Sequence, residues 1–308
     1  MKVAWLFPGQ GSQSVGMGMA FAKSSNAAES VLKAADEALG FALSNIMAEG
    51  PEETLRLTEH TQPAILTHSI MVLEARRDKL PRPDFVAGHS LGEYSALVAS
   101  GSITHFDAVR TVRERGRSMQ NAVPVGVGAM AAIIGMTAID VEAGCREAAE
   151  ATGKIVVPAN YNGAGQIVIA GHAQAVDAAI EALKAKGGRK MMKLPVSAPF
   201  HSPLMEPAQS AMTPVLKALD IKPPVCPLVN NVDAAPVTDV EALRHGLIRQ
   251  ISSAVRWEAA MKYLLSQNVT TFIELGPGKV LSGIASRMAK EAGAEIKAKS
   301  IGNPEDEV

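Results

Sequence analysis

The chain has 308 residues, 47% of them hydrophobic, which is typical of a globular protein and excludes a disordered or fibrous one. Its 30 lysines and arginines are balanced by 31 acidic residues, so no overall basic charge indicates nucleic-acid binding. Cys145 and Cys226 have neither zinc-site nor disulfide-framework spacing, so we expect no metal and a reducing, cytoplasmic location.

The apolar start of the chain predicts a central strand over residues 3–7. Pro8-Gly9 ends this run too early for a signal peptide or a membrane span, so we expect no membrane association. The glycines of the following loop allow a close backbone approach to a bound group. A phosphate-binding loop is the alternative, although the Walker pattern is absent.

Two helices are predicted over residues 19–39 and 48–57, and a third opens at Thr61 with Pro63 near its start. A short apolar run, residues 84–87, then predicts a buried strand that leads through Gly88-His89-Ser90-Leu91-Gly92 into another helix. A serine between glycines at such a turn is a nucleophile elbow, with its hydroxyl exposed and the next backbone N–H facing an oxyanion. Ser90 is therefore a candidate for acyl chemistry, the alternative being a chance match in a loop.

A change of pattern follows a polar helix at residues 107–120. Strands at 128–136, 155–159, 166–170 and 190–194, with helices at 139–151 and 176–186, give the order of a split βαβ unit. We therefore expect a ferredoxin-like domain of residues 123–197, inserted into a large domain of residues 1–122 and 198–308.

In the last third of the chain, helices alternate with strands at residues 225–230 and 271–275. This alternation predicts an α/β fold with a parallel, α/β-hydrolase-like sheet in the large domain. The site of such a sheet lies at the carboxyl ends of its strands. The loops after Phe7, Ala87, Asn230 and Leu275 would then share one rim.

A serine nucleophile needs a general base, and seven histidines are candidates. His201 stands out because Pro199 and Pro203 fix the loop around it, but residue types alone leave the others open. The acids between Ser90 and His201 lie on predicted helices or in the inserted segment. A Ser-His dyad, with the imidazole held by a backbone carbonyl, is thus favoured over a triad.

Seven motifs, in the same order and spacing, resemble those of malonyl-CoA:acyl carrier protein transacylases. They are Pro8-Gly9-Gln10-Gly11-Ser12-Gln13, Thr61-Gln62-Pro63-Ala64, Gly88-His89-Ser90-Leu91-Gly92-Glu93-Tyr94, Arg115-Gly116, Phe200-His201-Ser202, Asn230-Asn231 and Glu274-Leu275-Gly276-Pro277-Gly278. The resemblance implies Ser90 as nucleophile and His201 as general base and acid. It also implies an oxyanion hole from the backbone N–H groups of Gln10 and Leu91, and a Gln250 carbonyl that holds the His201 ring.

The same resemblance implies that Arg115 pairs with the malonyl carboxylate. Gln62, Asn160, Asn162 and Phe200 would line the acyl pocket, and Phe200 would favour the small malonyl group. The implied reaction is ping-pong transfer from malonyl-CoA to the phosphopantetheine thiol of acyl carrier protein in fatty acid synthesis. Coenzyme A thioester is then a substrate, and no cofactor is expected.

An acidic carrier protein needs positive charge near the cleft. The candidates are Arg189, Lys190 and Lys193, followed by Lys279 and Arg287, with a solvated basic face as the alternative. Other functions stay open: an acyltransferase loading a different extender in polyketide synthesis, a serine esterase or thioesterase, and a carrier-binding module without activity.

Overall fold

A computed structural model describes residues 1–196 and 198–308. Its strands are β1 (Lys2–Phe7), β2 (Phe85–Gly88), β3 (Gly128–Ile134), β4 (Val156–Gly163), β5 (Gln166–His172), β6 (Lys190–Lys193), β7 (Leu228–Val229), β8 (Pro236–Val237), β9 (Val269–Leu275) and β10 (Lys297–Ile301). Its helices are α1 (Met19–Ser24), α2 (Asn26–Leu39), α3 (Leu43–Glu49), α4 (Glu52–Arg56), α5 (Thr58–Arg76), α6 (Gly92–Ala99), α7 (His105–Asn121), α8 (Ala138–Thr152), α9 (Ala173–Ala185), α10 (Glu206–Ala218), α11 (Val240–Gln250), α12 (Trp257–Ser266) and α13 (Val280–Glu291). In this described part of the chain, no helix is both long and apolar enough to cross a membrane.

The larger sheet has six strands in the order β10-β9-β1-β2-β7-β8. All neighbours are parallel except β7 and β8. In the centre, Leu6 of β1 lies beside Ala87 of β2 and Glu274 of β9, so these three strands end at one rim. Helices cover both faces, and the strand side chains are buried on both sides. The predicted parallel sheet and its rim are therefore present.

The smaller sheet is antiparallel, with strand order β4-β5-β3-β6. One face packs against α8 and α9 through residues such as Ile133, Cys145 and Leu183. The opposite face, with Met130, Ala132 and Val168, joins the core of the larger unit. The mixed α/β fold with two sheets is confirmed. The division into domains at residues 123–197 stays a prediction, and its last residue, Ser197, lies outside the described residues.

Several predicted helix bounds were wrong in the first quarter of the chain. The single helix expected over residues 19–39 is two helices, because Ser25 is extended and its side chain accepts from Ala28 N to cap α2. The helix expected over 48–57 is also two, α3 and α4, separated at Gly50-Pro51. Helix α5 begins at Thr58 rather than Thr61, so Pro63 lies inside it.

Two edge strands were missed and one strand was overextended. β8 and β10 lie at the two ends of the larger sheet, where one side of a strand has no neighbour and polar residues are tolerated. The strand expected over residues 225–230 is only Leu228–Val229, because Pro223, Pro224 and Pro227 have no N–H for a ladder.

Candidate active site

The turn from β2 to α6 places Ser90 at the sheet rim. Ser90 has a positive φ of 52°, rare for a residue with a side chain. The flanking glycines are required by space: a Cβ on Gly88 would lie 1.9 Å from the Gly92 carbonyl carbon, and one on Gly92 would lie 2.1 Å from Phe7 O. The turn is thus a nucleophile elbow packed against the end of β1.

His201 reaches Ser90 from more than a hundred residues further along the chain. Its Nε2 lies 2.7 Å from Ser90 Oγ, and its Nδ1 lies 2.9 Å from the backbone oxygen of Gln250. The imidazole is buried, and burial, followed by the charge of Arg115, lowers the pKa of His201 to about 3. Since Nδ1–H donates to Gln250 O, the neutral ring presents Nε2 as an acceptor to the Ser90 hydroxyl.

Arg115 is the buried member of the arginine-rich helix α7. Its side chain is 1% exposed, whereas Arg113 and Arg117 on the outer face approach Glu59. Arg115 Nη2 lies 3.2 Å from Ser90 Oγ. Nη1 donates to Gln62 Oε1 and Nη2 to Gln250 Oε1, both at 2.8 Å. A fixed guanidinium therefore lies beside the serine hydroxyl.

A polar network behind the serine was not predicted as part of the site. Asn231 Oδ1 accepts from Ser90 N at 2.6 Å, and its Nδ2 donates to Gly88 O at 2.7 Å. Glu93 Oε2 accepts from Asn231 N at 2.9 Å and from Gln250 Nε2 at 3.0 Å. Both side chains belong to motifs noted in the sequence, but their contacts join positions some 140 residues apart. These bonds hold the elbow in its strained conformation.

A cavity of about 280 Å³ opens beside Ser90 and brings most of the sequence-predicted residues together. Gln10, Gln62, Asn160, Asn162 and Phe200 line it with Ser90, Arg115 and His201. Leu91 is 1% and Gln250 0% exposed; Leu91 follows Ser90 in the chain, and the Gln250 side chain bonds to Ser90 O and Arg115.

Further apolar residues and His89 also line the cavity, and neither was predicted from the sequence. Met119, Met130 and Leu194 form apolar walls that no motif marked. His89 also lines the cavity, where its Nε2 lies 2.8 Å from Asn162 Oδ1. The bond between the His89 ring and the Asn162 amide joins the elbow to β4 of the smaller sheet. The cavity is therefore enclosed by both sheets.

The basic candidates for carrier docking lie on different surfaces. Lys190 and Met192 share the cavity-facing side of the smaller sheet, since Met192 pairs with the cavity residue Ala132. Lys193 is on the opposite side, 2.5 Å from Asp177 of α9. Arg189 is exposed just before β6. Lys279 and Arg287 are exposed on or beside α13, which also lines the cavity.

Comparisons with known proteins agree with this geometry. The family model described as acyl transferase domain matches residues 4–306. A malonyl CoA-acyl carrier protein transacylase of Bacillus subtilis is 47% identical, over 99% of this chain and 94% of its own length. The solved acyl-carrier-protein-S-malonyltransferase of Bartonella henselae superposes with a TM-score of 0.95 at 43% identity, covering 99% of this chain and 96% of that one.

A second solved structure contains a carrier. It is described as a type II PKS acyl-carrier protein in complex with its malonyl-transacylase, and it matches with a TM-score of 0.94 at 40% identity, over 98% of this chain and 96% of that one. These similarities extend over nearly the whole chain and include both sheets. The chain therefore belongs to the acyl transferase family, as one of its malonyl-CoA:acyl carrier protein transacylases.

Proposed function

We propose that this protein transfers a malonyl group from malonyl-CoA to the phosphopantetheine thiol of an acyl carrier protein, through an ester on Ser90. The observation that carries the proposal is the buried Arg115 guanidinium, whose Nη2 lies 3.2 Å from the nucleophile. A malonyl ester at Ser90 has its free carboxylate one methylene beyond the ester carbonyl. An arginine grips such a carboxylate with two parallel N–H···O bonds.

In the first half-reaction, Ser90 Oγ attacks the thioester carbonyl while its proton passes to His201 Nε2. The resulting oxyanion accepts from the N–H groups of Gln10 and Leu91, and the Gln250 carbonyl stabilises the imidazolium through Nδ1–H. The C–S bond then breaks, and His201 returns the proton to the departing coenzyme A thiolate. Malonyl-Ser90 and free coenzyme A are the products.

In the second half-reaction, His201 takes the proton of the carrier's thiol, whose sulfur attacks the ester. The C–O bond breaks, and the same proton restores the Ser90 hydroxyl. This scheme needs no resident cofactor, because the acyl group travels on two thiols and one serine. The carrier would dock near Arg189 and Lys190, with Lys279 and Arg287 across the cleft. Lys193 contributes less, since it pairs with Asp177. We place the reaction in the cytoplasm, in fatty acid synthesis.

A serine esterase or thioesterase is the second candidate, because it would use the same serine and histidine. The buried arginine argues against it, since a hydrolase for uncharged acyl groups gains nothing from a cation in the pocket. The polyketide alternative, loading of a different extender, would use the same serine and histidine with another acyl group and carrier. One solved relative is described in complex with a type II PKS acyl-carrier protein.

The test is to mix purified protein with malonyl-CoA and weigh the intact chain. We expect one malonyl group per chain, located on Ser90 by peptide mapping, and its transfer to holo carrier protein when that is added. Ser90→Ala should lose the label completely, while Ser95→Ala, a buried serine of α6, should keep it. Label on another residue, or hydrolysis without transfer to the carrier, would contradict the proposal.

A further inference from the structure

Gln250 contacts three functional side chains through two separate parts of the residue. It is the last residue of α11, where backbone carbonyls have no N–H four residues later to accept from. Its carbonyl is thus free for His201 Nδ1, at 2.9 Å. The Gln250 side chain instead contacts Ser90 O, Glu93 and Arg115. A side-chain substitution therefore leaves the contact to His201 in place.

The orientation of the Gln250 amide follows from its neighbours. Its Nε2 lies 3.0 Å from both Ser90 O and Glu93 Oε2, and both of these atoms are acceptors. Both amide hydrogens are used, so the oxygen must face the other way. There it accepts from Arg115 Nη2 at 2.8 Å, and arginine can only donate.

Glu93 fixes this orientation from a fully enclosed position, 2% exposed. Burial raises the pKa of Glu93 to about 7, and the bonds from Gln250 and Asn231 and the charge of Arg115 oppose that rise. Because Oε2 already accepts two N–H bonds, a proton taken up by Glu93 goes to its other oxygen. Glu93 therefore holds Gln250 in both protonation states.

The second holder of Arg115 is fixed less firmly. Gln62 accepts from Arg115 Nη1 at 2.8 Å, but its own amide nitrogen lies 3.9 Å from Met119 Sδ, a weak acceptor. An amide with one weak partner turns more easily than one held by a carbonyl and a carboxylate. Of the two glutamines, Gln250 therefore fixes the guanidinium more firmly, while the Tyr94 ring lies 5.6 Å from Arg115 Cζ.

We propose that the Gln250 side chain, oriented by Glu93, is a positioning residue that holds the Arg115 guanidinium for the acyl carboxylate and thereby sets the preference for acyl groups that carry one. This inference rests on the proposed function. Neither Gln250 nor Glu93 touches the acyl group. Both also help to hold the elbow at Ser90, so acylation by uncharged groups should fall too, but less than acylation by malonyl-CoA.

The experiment measures single-turnover acylation of Ser90 by malonyl-CoA and by acetyl-CoA. Gln250→Met keeps the backbone carbonyl and the side-chain length but removes the amide. We expect malonyl acylation to fall about 10-fold or more, as for one lost charge-assisted hydrogen bond, and acetyl acylation to fall by about 3-fold from the lost bond to Ser90 O. Gln209→Met is the matched control, because Gln209 accepts from Ser252 beside the same helix end and does not contact Arg115. The malonyl and acetyl acylation rates of Gln209→Met should both equal those of wild type.

Variants at Glu93 test the orienting step separately. Glu93→Leu removes the acceptor and should lower the malonyl-to-acetyl ratio, whereas Glu93→Gln can accept both bonds through its amide oxygen and should restore it. The double variant Glu93→Leu/Gln250→Met should be no less selective than Gln250→Met alone, since Glu93 acts through Gln250. Circular dichroism checks that each variant is folded.

The results distinguish a failure of the Gln250 positioning role from a failure of the proposed malonyl transfer. Equal loss of both rates in Gln250→Met, or an unchanged malonyl rate, would overturn the positioning role while the wild type still prefers malonyl. A wild type that does not prefer malonyl-CoA would instead reject the proposed function, and the inference with it.

Discussion

Ser90 and His201 share an unusual backbone conformation, with φ of 52° and 59° respectively. Left-handed φ values are costly for residues with side chains and persist where surrounding bonds fix them. Around Ser90, the N–H donates to Asn231 and the carbonyl accepts from Gln250. The two residues that meet at 2.7 Å are thus both held by their neighbours before any substrate arrives.

The substitution Arg115→Ala should impair recognition of the malonyl carboxylate while the acyl transfer chemistry at Ser90 continues. We expect malonyl acylation of Ser90 to fall by about 100-fold or more, because a buried charged partner is lost, while acetyl acylation is kept. Single-turnover kinetics with the two thioesters measures both rates. Equal loss of both would mean that Arg115 supports the fold rather than the acyl group.

The pH profile of the same variant tests the charge effect on His201. Burial and then Arg115 lower the pKa of His201, with His89 adding a smaller effect, so the base stays neutral well below its ordinary range. Wild-type acetyl acylation should therefore stay level from about pH 8 to about pH 5. In Arg115→Ala the pKa of His201 rises, so the rate should begin to fall at a higher pH. An unshifted profile would contradict this coupling.

At the scale of elements, the crossing of α5 and α7 positions the acyl pocket. Gly116 lies against the start of α5, where an added Cβ would lie 2.6 Å from Thr58 O and 2.8 Å from Glu59 Cα. This close approach brings Arg115 of α7 within 2.8 Å of Gln62 of α5. The glycine is needed for space between backbones, which cannot move aside as a flexible side chain can.

Gly116→Ala should therefore weaken malonyl transfer, although alanine is the better helix former. We expect α7 to be displaced from α5, with loss of about 1–3 kcal/mol of stability and a lower malonyl rate. The control is Gly283→Ala in α13, where a Cβ meets no atom within 4 Å and the change should stabilise by up to about 1 kcal/mol. Urea unfolding and malonyl acylation measure both variants. A Gly116→Ala protein that matches the control would refute the packing argument.

The elements that the sequence predicted well are those with strong local signals. The elbow and the central strands were predicted because buried apolar runs and flanking glycines mark them. The site residues recognised by resemblance lie together around Ser90, but their roles stay predictions. The Glu93–Gln250 bond was missed because it joins positions 157 residues apart, and no local pattern encodes such a contact. The edge strand Lys297–Ile301 was missed because its alternate lysines resemble a solvated segment.

For the whole molecule, the last strand and the tail are fixed to the centre of the fold. His68 and Arg76, both on α5, donate to the carbonyl oxygens of Gly302 and Pro304. Lys299 Nζ donates to Val308 O at 2.8 Å. The segment from Asn303 onward is polar, yet Gly302 N and Asn303 N both donate to Asp306 within it. Its contacts are mostly to backbone carbonyls, which any residue type supplies.

His68 also links the stability of the whole chain to pH. Burial lowers the pKa of His68 to about 4, and the Gly302 carbonyl opposes that shift. Between about pH 6.5 and pH 4 the unfolded chain binds a proton here that the folded chain does not, so stability falls as the pH falls. His105 and His201 act in the same direction, and Glu93, with its raised pKa, acts against them.

His68→Gln keeps a side-chain donor for Gly302 O but cannot titrate. We expect its free energy of unfolding to depend less steeply on pH, by up to about 1.4 kcal/mol per pH unit below about pH 6, with little change in slope above pH 7. Urea unfolding at a series of pH values measures this slope, with His245→Gln, an exposed position on α11, as the matched control. If His68→Gln and wild type lose stability at the same rate on acidification, the pKa of His68 is not lowered in the folded protein. The bond to Gly302 O would then fully offset the effect of burial on that pKa.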